Sequence, residues 1–422
     1  MKKKLTIASV VSLSMVPMLV PSQDASAIPA FARKYQTSCY TCHSGFPNRN
    51  AFGEAFRNNG YRWPGGEDEE KAKQEQLKLG ADGWKKTFPE TPWPSDIPGY
   101  APVSIWVRGT LVNFAEPVRN AAGTVTTKQS LNYGTGSFGS STLFFGGTMG
   151  NNLSAFGQYN LSTAAATGLN STGATGHLIW AFKPGLNLAL GNGFSDFTFG
   201  NAIQTYSSVF PTPGLGSEFT YVTGDNGGLK ILGGLAKNGS AGSANGTTDI
   251  DDIKYLRVKY KFGGAGLLSG AGGTYGNEYV GLDNHVAIGA TYVNIKKGVL
   301  SNASTNVNYN GETAVYGADI SGNISNFSLG AAYSRDSDLK LNNYQIDAIY
   351  FLYPWLKATL TYRNLRDGDK ATNQPTYAGG VTAHLSANSY VSAVYTYQTR
   401  DRLTATSNSL PDTFALSAGF AF

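Results

Sequence analysis

Cysteine is almost absent from this chain: two residues in 422, Cys39 and Cys42. A framework of structural disulfides is therefore excluded, because these two can pair only with each other. Long apolar runs are scarce too. Beyond the N-terminal segment no stretch is long and apolar enough for a transmembrane helix. That excludes a helical membrane protein but not a barrel, whose alternating strands dilute the hydropathy signal. Charge is thin, at 14% of residues and a net +5, too mild to argue for nucleic acid. The four histidines are scattered, and no nucleophile–base pairing of a hydrolase is visible. Glycine and tyrosine are plentiful instead, with 52 and 24 residues. Strand patterns fill most of the chain, which argues against disorder.

The N-terminus reads as a secretory signal over residues 1–27. Lys2, Lys3 and Lys4 form a basic start. Leu5 to Val20 is mostly apolar, broken by serines and Pro17. Ala25-Ser26-Ala27 is an A-x-A cleavage site, so the mature chain is expected to begin near Ile28.

Residues 102–422 carry period-2 patterns, the repeat of a strand with two unlike faces. Val103, Ile105, Val107 and Leu111 oppose Ser104, Trp106, Arg108 and Thr110. Leu356, Ala358, Leu360 and Tyr362 oppose Lys357, Thr359, Thr361 and Arg363. The last strand, Thr413 to Phe422, puts Phe414, Leu416, Phe420 and Phe422 on one face and ends on an aromatic. Short turns at 150–152, 183–185, 353–355 and 386–389 alternate with longer polar stretches at 163–176, 196–216, 238–250, 297–311 and 366–375. Roughly ten-residue alternating segments joined this way predict an all-β transmembrane barrel. About 17 segments qualify, but closure with both termini on one side needs an even number. The glycine-rich run at 267–280 is the weakest, so about 16 antiparallel strands are expected. In the segment around residue 260, Leu256, Val258, Tyr260 and Phe262 would face lipid. Arg257, Lys259 and Lys261 would then face the lumen with Arg108, Lys357 and Arg363. Such a basic lumen suits acidic groups and a docked plug, or equally the lining of an anion-preferring pore.

Ahead of the barrel, Cys39-Tyr40-Thr41-Cys42-His43 is a C-x-x-C-H box, the attachment signature of a c-type haem. Two thiols three residues apart can each add to a porphyrin vinyl group, and the histidine that follows can ligate the iron. A closed zinc site would need a fourth ligand, and the next histidine is His177. A redox C-x-x-C would sit beside a βαβ pattern, and none follows. Residues 28–66 therefore read as a small α-helical monohaem cytochrome segment. Phe52 and Phe56, four apart on one helical face, would wall the porphyrin with Phe31, Phe46 and Tyr61, and Gly60 would end the helix. The segment holds no methionine and no second histidine. The sixth iron position is thus left open, bound by water or Lys34, or filled from the barrel by Met149, His177, His285 or His384. Residues 67–101 form a connector: Glu67-Asp68-Glu69-Glu70 opens a polar run through Lys78 that suits a short exposed helix, and prolines from Pro89 to Pro102 suit an extended tether. The acidic run is also a candidate landing site for Fe²⁺.

Phe31-Ala32-Arg33 before Cys39, Cys42 and His43, then Phe46-Pro47, Asn50, Phe52-Gly53, Phe56 and Gly60-Tyr61, resembles the fused outer-membrane cytochrome–porins of iron-oxidising bacteria. The match covers about residues 28–61; beyond that only architecture and length agree. The resemblance implies one covalent haem c held by Cys39, Cys42 and His43, with Phe31, Arg33, Phe46, Phe52 and Phe56 around it and His43 on the iron. It implies an outer-membrane electron conduit that oxidises an extracellular reductant, Fe(II) above all, and passes electrons to a periplasmic cytochrome. Two alternatives use the same residues: a solute porin whose haem segment is a plug or sensor, and a conduit running outward to reduce extracellular acceptors.

Overall fold

A computed structural model of the chain describes residues 30–44, 49–64, 76–78, 86, 96–98, 101–120, 122–133, 140–149, 152–162, 174–199, 209–238, 251–269, 283–296, 298–302, 305–309, 312–338, 340–366, 373–386, 388–399 and 411–422. Alternation of apolar and polar residues builds sixteen antiparallel strand positions that close into one barrel. They are β1 (Val103–Ala115), β2 (Ser140–Met149, with a short upper arm Ser130–Tyr133), β3 (Leu153–Ser162), β4 (Ala174–Lys183), β5 (Leu186–Gly191), β6 (Pro213–Thr223), β7 (Asn226–Asn238) and β8 (Ile253–Ala265). The second half comprises β9 (His285–Ile295), β10 (Thr313–Ile324), β11 (Phe327–Asp336), β12 (Asn342–Tyr353), β13 (Leu356–Arg366), β14 (Gln374–Ser386), β15 (Ser389–Gln398) and β16 (Thr413–Ala421). The two arms of β2 both pair with β1, at Val112–Ala115 and at Val103–Trp106, so they count as one position. The run at 267–269 is a turn rather than a strand, and 270–282 lie outside the described residues.

Closure is made by β16 against β1, with Phe414 opposite Phe114 and Ala421 opposite Trp106. The Ile105 amide donates to the Phe422 carbonyl, and Phe422 donates back to Ile105. Every backbone group on these strands can then be satisfied within the sheet, which a lipid surrounding demands. The outer face is apolar. Leu256, Ile288, Ile320, Ile346 and Leu360 are all exposed there. Exposed aromatics flank them: Phe182, Phe262, Tyr353, Trp355, Phe420 and Phe422 toward the short-turn end, and Tyr292, Tyr316, Tyr377, Tyr395 and Tyr397 toward the other. An apolar band between two aromatic girdles is the mark of a transmembrane barrel.

The core lies inside the barrel. Phe56, Tyr61, Ile179, Phe197, Phe210, Leu232 and Tyr255 belong to one buried cluster. Two pieces of chain fill this interior. One is the N-terminal segment, with α1 (Ala30–Tyr35), a 3₁₀ turn at Cys39–Thr41 and α2 (Ala51–Asn58). The other is the connection from β5 to β6, expected as an outer loop. Its described parts, 192–199 and 209–212, fold inward, burying Phe194, Phe197, Val209 and Phe210, because four large apolar side chains at the mouth would otherwise meet water. The connector also departs from expectation. Gln76–Lys78, read as the end of a helix, pairs as an antiparallel strand with Asp96–Pro98. The extended, proline-bounded stretch supplies a backbone edge, and edge pairing prevails over a three-residue helical end. The acidic run at 67–70 and the prolines at 89–94 lie outside the described residues.

Candidate functional site

The C-x-x-C-H box is built by two short elements that brace each other. Ser38 caps the 3₁₀ turn, and Cys42 and His43 both donate backbone N–H to the Cys39 carbonyl. Asn50 ties this turn to α2. Its side chain accepts from the Gly53 amide at 2.9 Å, capping the helix, and its amide nitrogen donates to the carbonyls of Tyr40 and Thr41 at 2.9 and 3.1 Å. Its backbone N–H donates to Cys42 at 2.9 Å. Gly53 is required at this junction, since a Cβ there would stand 2.1 Å from the Cys42 carbonyl oxygen. Asn59 and Gly60, the latter at φ +66°, end α2.

Both thiols are free, and Cys39 is 5% exposed. Burial pushes the Cys39 thiol up to about 11 and the Cys42 thiol up to about 12. Redox C-x-x-C pairs work through a depressed thiol pKa, so this environment does not suit thiol–disulfide exchange. Among the described residues no cluster of three or more His, Cys, Asp or Glu side chains is placed to hold a bare metal ion. Two adjacent thiols and a following histidine on one braced turn fit covalent haem attachment, which needs thioethers rather than thiolates.

Contacts seat the segment against inward-facing positions of the barrel. The Phe31 ring lies against Gly146 of β2 and stacks on Tyr61 at 5.3 Å, and Tyr61 stacks on Phe156 of β3 at 5.1 Å. Phe56 meets Phe31 edge-on at 5.2 Å, and Phe52 meets Trp63 at 4.8 Å. Phe31, Phe52 and Phe56 are thus brought into one aromatic group with Tyr61 and Trp63. Arg33 turns away to the carbonyls of Ala101 and Val103, where the barrel begins. Phe46 lies outside the described residues. Below α2, Asn58 and Asn59 donate to the carbonyls of Leu267 and Leu268, each at 2.8 Å. The Ser154 hydroxyl donates to the Gly60 carbonyl at 2.7 Å.

Charge locks the arrangement. Lys230 of β7 reaches Asp196 at 2.9 Å, Asn58 at 3.0 Å and Glu54 at 3.5 Å. Arg57 meets Asp196 at 2.8 Å, and Arg49 meets Glu54 at 3.1 Å and Asp196 at 3.7 Å. Burial opposes ionisation of Glu54, yet Lys230, Arg49 and Lys259 hold its carboxyl well below the usual range. Asp196 behaves alike: burial opposes its charge, and Arg57, Lys230 and Arg49 overcome it. One cluster therefore joins α2, the inward β5–β6 connection and the wall.

The basic lumen is only partly free for such docking. Arg257 is buried and paired with Asp319 of β10 at 2.7 Å, and Lys261 pairs with Asp283 at 2.6 Å. Among the described residues, the wall cation that meets α2 directly is Lys230, flanked by the outward Leu229 and Ile231 in an alternation that marks it as luminal. Asp196 carries no such signal, because it sits in a loop. Candidates for the sixth iron position separate clearly. Lys34 donates to Thr148 at 2.6 Å and to Tyr35 at 3.1 Å. His177 is bonded to the Asn192 carbonyl at 3.1 Å, and His285 to Asp283. His384 of β14 is 4% exposed, and both its ring nitrogens are buried with no hydrogen-bond partner among the described residues.

A closed sixteen-stranded barrel with its interior filled by an N-terminal segment defines a porin-type fold with a luminal plug. The chain is similar to the outer membrane channel DcaP of Acinetobacter baumannii, with 13% identity and a TM-score of 0.51 over 76% of this chain and 96% of that one. It is similar to the anion-selective porin from Comamonas acidovorans, with 13% identity and a TM-score of 0.50 over 76% of this chain and 98% of that one. At this identity the likeness shows the fold. No family model matches the chain, and no curated protein matches its sequence.

Proposed function

We propose that this chain is an outer-membrane electron conduit: a porin-type barrel closed by a plug that carries one c-type haem on Cys39 and Cys42, with His43 as a ligand to the iron. The observation that carries the reading is the seating of the C-x-x-C-H segment inside the barrel, tied to the wall by the buried Glu54–Lys230–Asp196–Arg57 cluster. An open solute channel gains nothing from such a lock. An insulating layer that must pass electrons but not solutes needs a filled lumen and a one-electron site. The haem, when bound, supplies that site. The chain's own residues hold it, exclude water around it and fix its height in the barrel. Extracellular Fe(II) as reductant and a periplasmic cytochrome as acceptor rest on the family resemblance of residues 28–61.

A second reading, a solute porin with a haem-bearing plug, is the one that the comparisons favour, since the two structures named above are a channel and a porin. The two separate in one experiment. Stopped-flow spectroscopy of intact cells mixed with Fe(II) is expected to show fast haem reduction that His43→Ala abolishes, alongside negligible ion conductance in planar bilayers. Indifference of the haem to Fe(II), together with steady conductance, would sink the conduit.

A further inference from the structure

His384 stands out among the lumen-facing residues. Along β14, Val381 and Leu385 are exposed on the outer face, while His384 points inward and is covered. The cover is aromatic. The Tyr390 ring lies at 6.1 Å and the Tyr40 ring at 6.5 Å. Tyr40 stands inside the C-x-x-C-H box, so the plug itself buries this imidazole. A neutral imidazole carries one donor and one acceptor. Leaving buried polar groups unmade costs about 1–3 kcal/mol each, and such exceptions in native structures call for a reason. A packing role alone is a poor one, since phenylalanine would fill the same place without that cost.

A cation lies beside it. Lys357 of β13 is opposite Thr382 in the register, two residues from His384 on the same inward face. It is 6% exposed, and among the described residues it makes no hydrogen bond or ion pair. An imidazole short of a partner thus meets the cysteine box at Tyr40, with an ammonium short of an anion on the same inward face beside it. Iron and a carboxylate are what this pair would satisfy, and a haem presents both.

Resting on the haem-plug reading above, we propose that His384 is the barrel's ligand to the haem iron, opposite His43, and that Lys357 neutralises a haem propionate. The iron would then be held from two separate parts of the chain, and ligation would bind the plug to the β13–β14 wall on the side away from Lys230.

Purified full-length protein in detergent provides the test. Covalent haem is measured by pyridine haemochrome, and barrel folding by heat-modifiable mobility on gels. The wild type is expected to show a low-spin spectrum with a bis-histidine near-infrared magnetic circular dichroism band. His384→Gly should keep its covalent haem, turn high-spin, bind carbon monoxide when reduced, and return to low spin on addition of imidazole. Lys357→Gln should stay low-spin with a more negative midpoint potential. A folded His384→Gly protein that remains low-spin overturns the ligand assignment, and an unmoved potential overturns the Lys357 contact. Wild-type protein without covalent haem overturns the haem-plug reading itself, an outcome that the haemochrome separates from the other two.

Discussion

Asp196 ties the inward β5–β6 connection to both α2 and the wall, so Asp196→Asn is a sharp perturbation. Its carboxylate meets Arg57 at 2.8 Å, Lys230 at 2.9 Å and Arg49 at 3.7 Å, and its side chain is 14% exposed. Asparagine keeps the volume and removes the charge. Arg49, Arg57 and Lys230 are then left with Glu54 and the nearby Glu218 as carboxylates. Removing one partner from a buried ion pair costs about 3–5 kcal/mol. At about 1.4 kcal/mol per decade, this raises the undocked population roughly 10²- to 4×10³-fold. Planar-bilayer recordings should turn from closed to flickering or open, and protease added from outside should cut the 30–64 segment faster by a comparable factor. Unchanged conductance and unchanged protection in Asp196→Asn would refute the claim that this cluster holds the plug.

Other outcomes follow from the same contacts. Glu54 and Asp196 both have depressed native pKa values, so their contribution is complete above the unfolded carboxylate value of about 4 and is lost as pH falls through the native values. Conductance should therefore stay low from neutral pH down to about pH 4 and rise only in stronger acid; a seal that opens near pH 6 would contradict this. Gly53→Ala would force a Cβ to within 2.1 Å of the Cys42 carbonyl, so it should destabilise the box by about 1–3 kcal/mol and lower covalent haem yield by haemochrome. Asn50→Ala removes the α2 cap and two bonds to the turn, and should cost about 1 kcal/mol in the thermal stability of the plug, read as earlier protease sensitivity on heating.

Period-2 alternation makes the wall legible in sequence, because lipid and lumen impose opposite demands on neighbouring residues. Leu256, Val258, Tyr260 and Phe262 are exposed, and Arg257 and Lys261 are buried, as their alternation requires. The lumen position of Lys230 was equally readable. Its partners were not, since they come from α2 and from a loop 34 residues away, and only the closed topology brings them together. The inward fold of the β5–β6 connection was missed for a related reason: its glycines and serines read as a solvent loop, while the phenylalanines that drive it inward follow no strand period. Within the box, Cys39, Cys42 and His43 are legible from spacing alone. Their braces, Asn50 and Gly53, acquire meaning only from the carbonyls they approach.

The burial of Cys39 beneath the finished barrel sets an order of events in biogenesis. With Cys39 only 5% exposed and α2 tied by Arg57 to Asp196 of the β5–β6 connection, an enzyme in solution has little access to that sulfur in the assembled molecule. Whatever is joined to the two cysteines must be joined while the N-terminal segment is still an unfolded or soluble intermediate. A chain that inserts before this step would be trapped permanently in its unmodified form.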